Sequence, residues 1–232
     1  MCKVASIAAL EREIRLLIAG AKRIERQHQG RKFTFFEGDD SVLLCGGIGV
    51  EAARRAAEAV VALYHPEALQ SVGFAGALQS DLHVGDILVP ALVIDARDGR
   101  RIETAGGEGV LLTFTSVADA KQKASLAKAY SAQAVDMEAA AVAASAWAHG
   151  IGFLAVKAIS DEVDFEMLET GRFVDARGRF RTANFATYAA LRPWFWSGAA
   201  TLARNSRKAA KALAEYLNGS ETSLNPTAAK TR

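Results

Sequence analysis

Residues 42–76, VLLCGGIGVEAARRAAEAVVALYHPEALQSVGFAG, decide how the rest of the chain is read. Val42 to Leu44 is a short apolar run that leads into Gly46-Gly47-Ile48-Gly49, and Glu51 to Leu63 is Ala-rich with helical spacing. Leu69 to Val72 is a second apolar run, ending in Gly73-Phe74-Ala75-Gly76. That is a strand, a glycine turn, a helix and another strand ending at glycines. The same alternation extends outward. Val4 to Ala9, followed by Glu11, Arg12 and Glu13, reads as a buried first strand delivering its end to a polar site. Ile87 to Ile94 is β-rich, Lys121 to Tyr130 and Asp136 to His149 have helix-forming composition, and Phe153 to Ile159 reads as a buried strand ahead of Asp161. The expected fold is a single-domain, three-layer α/β/α architecture with a mixed, mostly parallel central sheet and ligands gathered at the C-terminal ends of strands. Residues 1–217 are expected to form this domain. From Asn218 to Arg232 the composition turns to Asn, Gly, Ser, Thr and Lys without apolar period, which reads as a tail.

Half of the 232 residues are apolar, enough for one sizeable core. Net charge is only +2, which argues against a general nucleic-acid binder. The charge is uneven: Arg172 to Lys211 carries nine basic residues and one acidic residue, Asp175. Cys2 and Cys45 are the only cysteines and have no metal-ligand spacing; the four histidines form no helical pair or cluster. No metal and no cofactor are expected, and the glycine segments do not follow the dinucleotide pattern. No apolar run approaches the roughly 20 residues of a spanning helix, and the N-terminus has no signal pattern, so the expectation is a soluble cytoplasmic protein. There is no Gly-x-Ser-x-Gly elbow for a serine nucleophile.

Three acidic residues at the ends of strand-like or loop segments remain: Glu13, Glu138 and Asp161. Carboxylates suit glycosidic chemistry, protonating a leaving group, orienting water and stabilising an oxocarbenium-like sugar. Spacing alone leaves open whether they converge. Each singly reads as well as a solvated turn residue or a charge at a helix N-terminus. The glycine segments likewise read either as plain turns or as places where backbone approaches an anion or sugar.

Taken in order, Ala9-Leu10-Glu11-Arg12-Glu13, Gly47-Ile48-Gly49, Gly73-Phe74-Ala75-Gly76-Ala77-Leu78 continuing to Val84-Gly85-Asp86-Ile87, Val135-Asp136-Met137-Glu138-Ala139-Ala140-Ala141 and Ala158-Ile159-Ser160-Asp161-Glu162 resemble the purine nucleoside phosphorylase superfamily. The branch resembled is that of the methylthioadenosine/S-adenosylhomocysteine nucleosidases. The resemblance implies cleavage of the bond between a purine and its sugar. Asp161 would protonate N7 of adenine with Ser160 holding its carboxyl, Glu13 would activate water, and Glu138 would bind the ribose hydroxyls with Met137 under the sugar. Phe74, Ala75, Gly76, Ser116, Val117 and Lys157 would complete the substrate-binding wall, and a homodimer is implied. Three departures stand out: Phe74 replaces a small polar residue, Lys157 replaces an arginine, and Ala91 to Val135 is short.

The stretch after Asp164, with Gly171-Arg172-Phe173, Gly178-Arg179-Phe180-Arg181 and Leu191-Arg192-Pro193-Trp194-Phe195-Trp196, looks like the hopanoid-associated branch, which implies adenosylhopane as the favoured substrate. Aromatic residues beside a basic stretch suit peripheral contact with an anionic membrane through residues 172–211; they suit core or dimer packing equally. Alternatives are a methylthioadenosine/S-adenosylhomocysteine nucleosidase, a phosphorylase that uses phosphate through Arg12 or Lys157, and a non-catalytic nucleoside-binding protein.

Overall fold

The computed structural model describes residues 2–166, 173, 175, 178, 180, 181, 184 and 196–219. Eleven strands form one sheet: β1 (Val4–Ala8), β2 (Lys22–His28), β3 (Arg31–Glu37), β4 (Ser41–Cys45), β5 (Ala68–Ala77), β6 (Ile87–Leu88), β7 (Leu92–Asp95), β8 (Arg101–Glu103), β9 (Val110–Thr113), β10 (Ala134–Asp136) and β11 (Gly152–Asp161). The helices are α1 (Glu11–Ile14), α2 (Val50–Tyr64), α3 (Ala120–Tyr130), α4 (Ala139–His149) and α5 (Trp196–Gly219). The sheet runs β2-β3-β4-β1-β5-β10-β9-β7-β8, with β11 on β5 and β6 on β11. The α/β expectation agrees with this arrangement.

Two apolar layers flank the sheet. On one face Ala53, Ala56, Ala57 and Val60 of α2 and Ala139, Val142 and Ala143 of α4 pack against Leu44, Leu69 and Phe35. Alanines let these helices lie close to each other and to the strands. Gly46 marks the limit, because a Cβ there would sit 2.7 Å from the Cβ of Ala56. On the other face Ala209 and Leu213 of α5 and Ile14 of α1 cover Val72, Val156 and Ala158. Burying a side chain the size of Leu213 contributes about 2 kcal/mol. The apolar stripe of α5 is thereby used inside the protein, and Arg204, Arg207, Lys208 and Lys211 remain on its exposed side. Arg172, Arg177, Arg179, Arg192, Trp194 and Phe195 lie outside the described residues. No helix among those described is long and apolar enough to cross a membrane.

Several elements differ from the sequence reading. Residues 22–37 form a hairpin that hydrophobic runs do not announce, because β2 exposes most of its polar side chains; its two-residue turn places Gln29 and Gly30 at positive φ. The β-rich run from Ile87 breaks into β6 and β7 on either side of Pro90. Helix α4 starts at Ala139 rather than Asp136, since Asp136 ends β10 and its Oδ2 accepts from the amide of Ala139. Helix α5 continues through Gly219, two residues into the expected tail; residues 220–232 lie outside those described.

Strand β5 creates the space for a site. Its first residues, Ala68 to Ser71, pair in parallel with β1, and its last, Gly76 and Ala77, pair antiparallel with β10. Strand β11 runs along the opposite edge throughout. Among the described residues the first edge carries no strand between Ser71 and Gly76, so the ends of β1 and β10 diverge there and leave a cleft. Glycines 73 and 76 therefore lie within a strand, not at a turn after it.

Candidate active site

The cleft encloses a cavity of about 440 Å³ lined from the ends of β1, β5, β10 and β11, from residues 115–118, and from α5. Glu13, Glu138 and Asp161, 125 and 23 residues apart, all face it. Phe74, Ala75, Gly76, Ser116, Val117, Met137 and Ser160 also line it. Lys157 does not; it lies behind the wall with its ammonium turned to Asp136 and Ser71.

Glu13 sits on the single turn of α1, and its side chain folds back to accept from the amides of Ala9 (3.3 Å) and Leu10 (3.4 Å). It occupies the space a side chain at position 73 would need: a Cβ on Gly73 would lie 2.6 Å from Glu13 Oε2, and Gly73 has φ +143°. Burial pushes the Glu13 carboxyl above its ordinary range, against the pull of Lys157, Arg12 and the two amides.

Glu138 is held at the entry to α4. Its Oε1 accepts from the amide of Gly49 (2.8 Å) and its Oε2 from that of Met137 (3.3 Å). Burial, with the Asp136 carboxylate nearby, raises its pKa to about 8 although Lys157 and the Gly49 amide oppose the shift. Lys157 is 1% exposed; burial would lower its pKa, but Asp136 and Glu138 outweigh this and hold it protonated. Its Nζ is 2.9 Å from Asp136 Oδ2 and 3.0 Å from Ser71 Oγ. One buried cation thus serves three carboxyl groups, Asp136, Glu138 and Glu13, all at the cavity.

A stability consequence follows for Glu138. Its folded pKa, about 8, lies above the ordinary glutamate value, so the native state takes up a proton that the unfolded chain has lost. The stability this group supplies is complete below about pH 4.5, declines as pH rises, and is gone above about pH 8. Glu138→Gln should remove this slope. Urea unfolding at pH 6 and pH 8 should show wild type losing about 1 kcal/mol per pH unit more than the variant; parallel losses would contradict the assignment.

Asp161 is placed by a bulge. Along β11 the register with β5 passes from Ile159 opposite Ala75 to Asp161 opposite Gly76, leaving Ser160 as the extra residue. The bulge brings both Ser160 and Asp161 to the cavity, and Ser160 Oγ donates to Asp161 Oδ1 at 2.7 Å. On the other side Lys123 Nζ contacts Asp161 Oδ2 and donates to the carbonyl of Glu162 at 2.6 Å. Gly76 makes room for this pair: a Cβ there would fall 2.7 Å from Asp161 Oδ2 and 3.2 Å from Lys123 Cε. Gly76→Ala should therefore displace the carboxylate and lower turnover by about 10-fold or more with a small change in melting temperature. Wild-type kinetics in the variant would show that Asp161 need not be held there.

Sequence reasoning missed Lys123, Asp136 and the α5 residues Leu202 and Ser206, which line the cavity's remaining side. Lys123 carried a signal: Asp119 and Gln122 form a capping box that fixes the phase of α3, and this phase turns a lysine inward. Phe180 also lines the cavity, with the guanidinium of Arg12 5.3 Å above its ring centre.

Comparison with known proteins identifies the family and the fold. The 5′-methylthioadenosine/S-adenosylhomocysteine nucleosidase of Hydrogenovibrio crunogenus is 34% identical over 91 residues, covering 38% of this chain and 39% of that enzyme, so this match spans well under half of the relative's length. The corresponding nucleosidase of Actinobacillus succinogenes is 27% identical over 206 residues, with 71% of this chain and 87% of that enzyme covered. Among solved structures, the Helicobacter pylori 5′-methylthioadenosine/S-adenosyl homocysteine nucleosidase superposes with a TM-score of 0.69 at 19% identity, covering 94% of this chain and 97% of that one; this is a likeness of fold. The sequence pattern of the phosphorylase superfamily matches residues 3–115 and 109–190. Because that pattern runs from the first strand past the bulged end of the last, the chain belongs to the phosphorylase superfamily.

Proposed function

We propose that this protein hydrolyses the N-glycosidic bond of a 5′-substituted adenine nucleoside and releases adenine, with a thioether nucleoside of the methylthioadenosine or S-adenosylhomocysteine kind as its substrate. The observation that carries the reading is the convergence of Glu13, Glu138 and Asp161 on one nucleoside-sized cavity. In this reading the base lies against Asp161 and the ribose hydroxyls meet Glu138 over Met137. A water held by Glu13 attacks C1′ as the bond to the base opens. Its proton passes to Glu13, whose proton affinity burial raises, which strengthens it as a base. The curated relatives carry the thioether names, which is why this substrate is preferred.

Water is the favoured acceptor. Lys157 is committed to Asp136 and Ser71 and does not reach the cavity wall, which among the described residues leaves Arg12 as the cation on the Glu13 side to meet a phosphate. Incubation with methylthioadenosine in phosphate-free buffer should release adenine at a rate unchanged by added phosphate. A strict phosphate requirement would replace hydrolysis with phosphorolysis, and tight binding with no adenine under either condition would favour a binding protein.

A second reading takes a lipid-substituted nucleoside such as adenosylhopane. Ile48, Phe180 and Leu202 give the cavity an apolar side, which suits a long 5′-substituent. Membrane contact in that case relies on the basic side of α5, since its apolar stripe is already buried. Faster turnover of long-alkyl than of methylthio substrates, together with sedimentation on anionic vesicles, would establish it; preference for the methylthio substrate would not. A homodimer belongs to either reading, and Trp147, 78% exposed on α4, is the kind of apolar side chain a second copy covers.

A further inference from the structure

Helix α3 buries one side chain, and it is a lysine. Lys123 is 1% exposed and Asp161 3% exposed, and both reach the cavity. An ammonium this deeply buried is stable only with an anion and acceptors around it, and here it has the Asp161 carboxylate and the Glu162 carbonyl. Asp161 in turn accepts at both oxygens, from Ser160 at Oδ1 and from Lys123 at Oδ2. Both oxygens of Asp161 are thus engaged as acceptors. The proton that a departing purine requires is present in the site, but it sits on Nζ.

We propose that Lys123 is the proton store for the leaving base, acting through Asp161. This deepens the hydrolase reading and rests on it. The transfer is balanced at each step. A proton crosses from Nζ to Asp161 Oδ2, converting an ammonium and a carboxylate into an amine and a carboxylic acid. As the electrons of the C1′–N9 bond move into the purine, Asp161 passes that proton to the ring nitrogen. The attacking water forms its bond to C1′ and yields its proton to Glu13. Exchange with solvent then returns a proton to Lys123 and takes one from Glu13. The first transfer adds no net charge to the buried site, and when Asp161 returns to carboxylate in the second, its new charge faces the positive charge developing on the sugar.

The pair distinguishes two substitutions that ordinary electrostatic support would rank the other way. Lys123→Arg keeps the positive charge but gives up no proton, so it fixes Asp161 as a carboxylate. Lys123→Met removes the charge, and a lone buried carboxyl takes a proton from solvent rather than stay ionised. The expected order of kcat for adenine release is wild type, then Lys123→Met, then Lys123→Arg, with the arginine variant down by about 100-fold or more. A 4-nitrophenyl riboside, whose leaving group departs as a stable anion, should lose at least about 10-fold less than the adenine substrate in each variant. An arginine variant as active as the methionine variant, or more so, would overturn the proposal and leave Lys123 a positioning charge. Equal losses on both substrates would overturn it too, because the defect would then not concern the leaving group. Wild-type protein that releases no adenine from any nucleoside would count against the hydrolase reading itself.

Discussion

Asp161→Asn should reduce kcat for adenine release by about 10²- to 10⁴-fold while changing KM much less. Asparagine has the shape of aspartate, so Ser160 still has an acceptor 2.7 Å away at the equivalent oxygen and the bulge in β11 need not move. What is lost is the ability to pass a proton to the base as its bond to the sugar breaks. The variant should also melt at a lower temperature, because Lys123 keeps the Glu162 carbonyl but loses its anion. Steady-state kinetics and thermal unfolding on the same sample separate the two effects. Turnover within about threefold of wild type would show that the base leaves without help from this carboxyl.

The largest effect on stability is expected at a residue that touches no substrate. Lys157→Met should cost about 3–5 kcal/mol, read by urea unfolding near pH 7. Lys157 is the buried cation for Asp136, at 2.9 Å, and it lowers the proton affinity of both Glu13 and Glu138. Without it, Asp136 remains buried between the Thr113 hydroxyl and the Ala139 amide with an uncompensated charge. Adding Asp136→Asn to Lys157→Met should recover part of the loss, since removing both members of a buried pair costs less than removing one. A single variant within about 1 kcal/mol of wild type would mean that the three carboxyl groups do not depend on Lys157.

Much of the fold was legible because the buried strands are short apolar runs that end at glycines or acidic residues. Val4 to Ala9, save its last residue, and Val42 to Leu44, Leu69 to Val72 and Phe153 to Ile159 fall on strands of the central sheet. The hairpin of β2 and β3 was not legible from apolar runs. Its strands alternate, with Phe33 and Phe35 inward, but Lys22 to His28 presents charge on both faces. The Gln29-Gly30 turn was the available signal.

At the site, the three carboxyl residues could be named from ordered motifs, yet nothing in their spacing carried their convergence. That depends on β5 exchanging β1 for β10 along one edge, a property of the whole sheet. Lys157 was read as a substrate contact from the resemblance, in which it stands in place of an arginine four residues before Asp161. The bulge at Ser160 breaks the alternation of β11 between them; Lys157 sits behind the cavity wall and Asp161 on it. The glycines at 73 and 76 were read as turns or as seats for an anionic ligand. They instead accommodate the protein's own Glu13 and Asp161 side chains, a use visible only once distant carboxylates are placed against them. Lys123 stood in a polar helix among other lysines, where only the phase fixed by Asp119 sets it apart.

The central claim is that one nucleoside touches all three carboxyl residues at once. It is tested most directly by a crystal structure with an adenosine C-nucleoside, in which carbon replaces the glycosidic nitrogen and the bond cannot be hydrolysed. The account predicts a base nitrogen within hydrogen-bonding distance of Asp161, both ribose hydroxyls on Glu138, and a water between Glu13 and C1′. A ligand bound elsewhere, or one that meets Asp161 with its ribose turned away from Glu138 and Glu13, would contradict it.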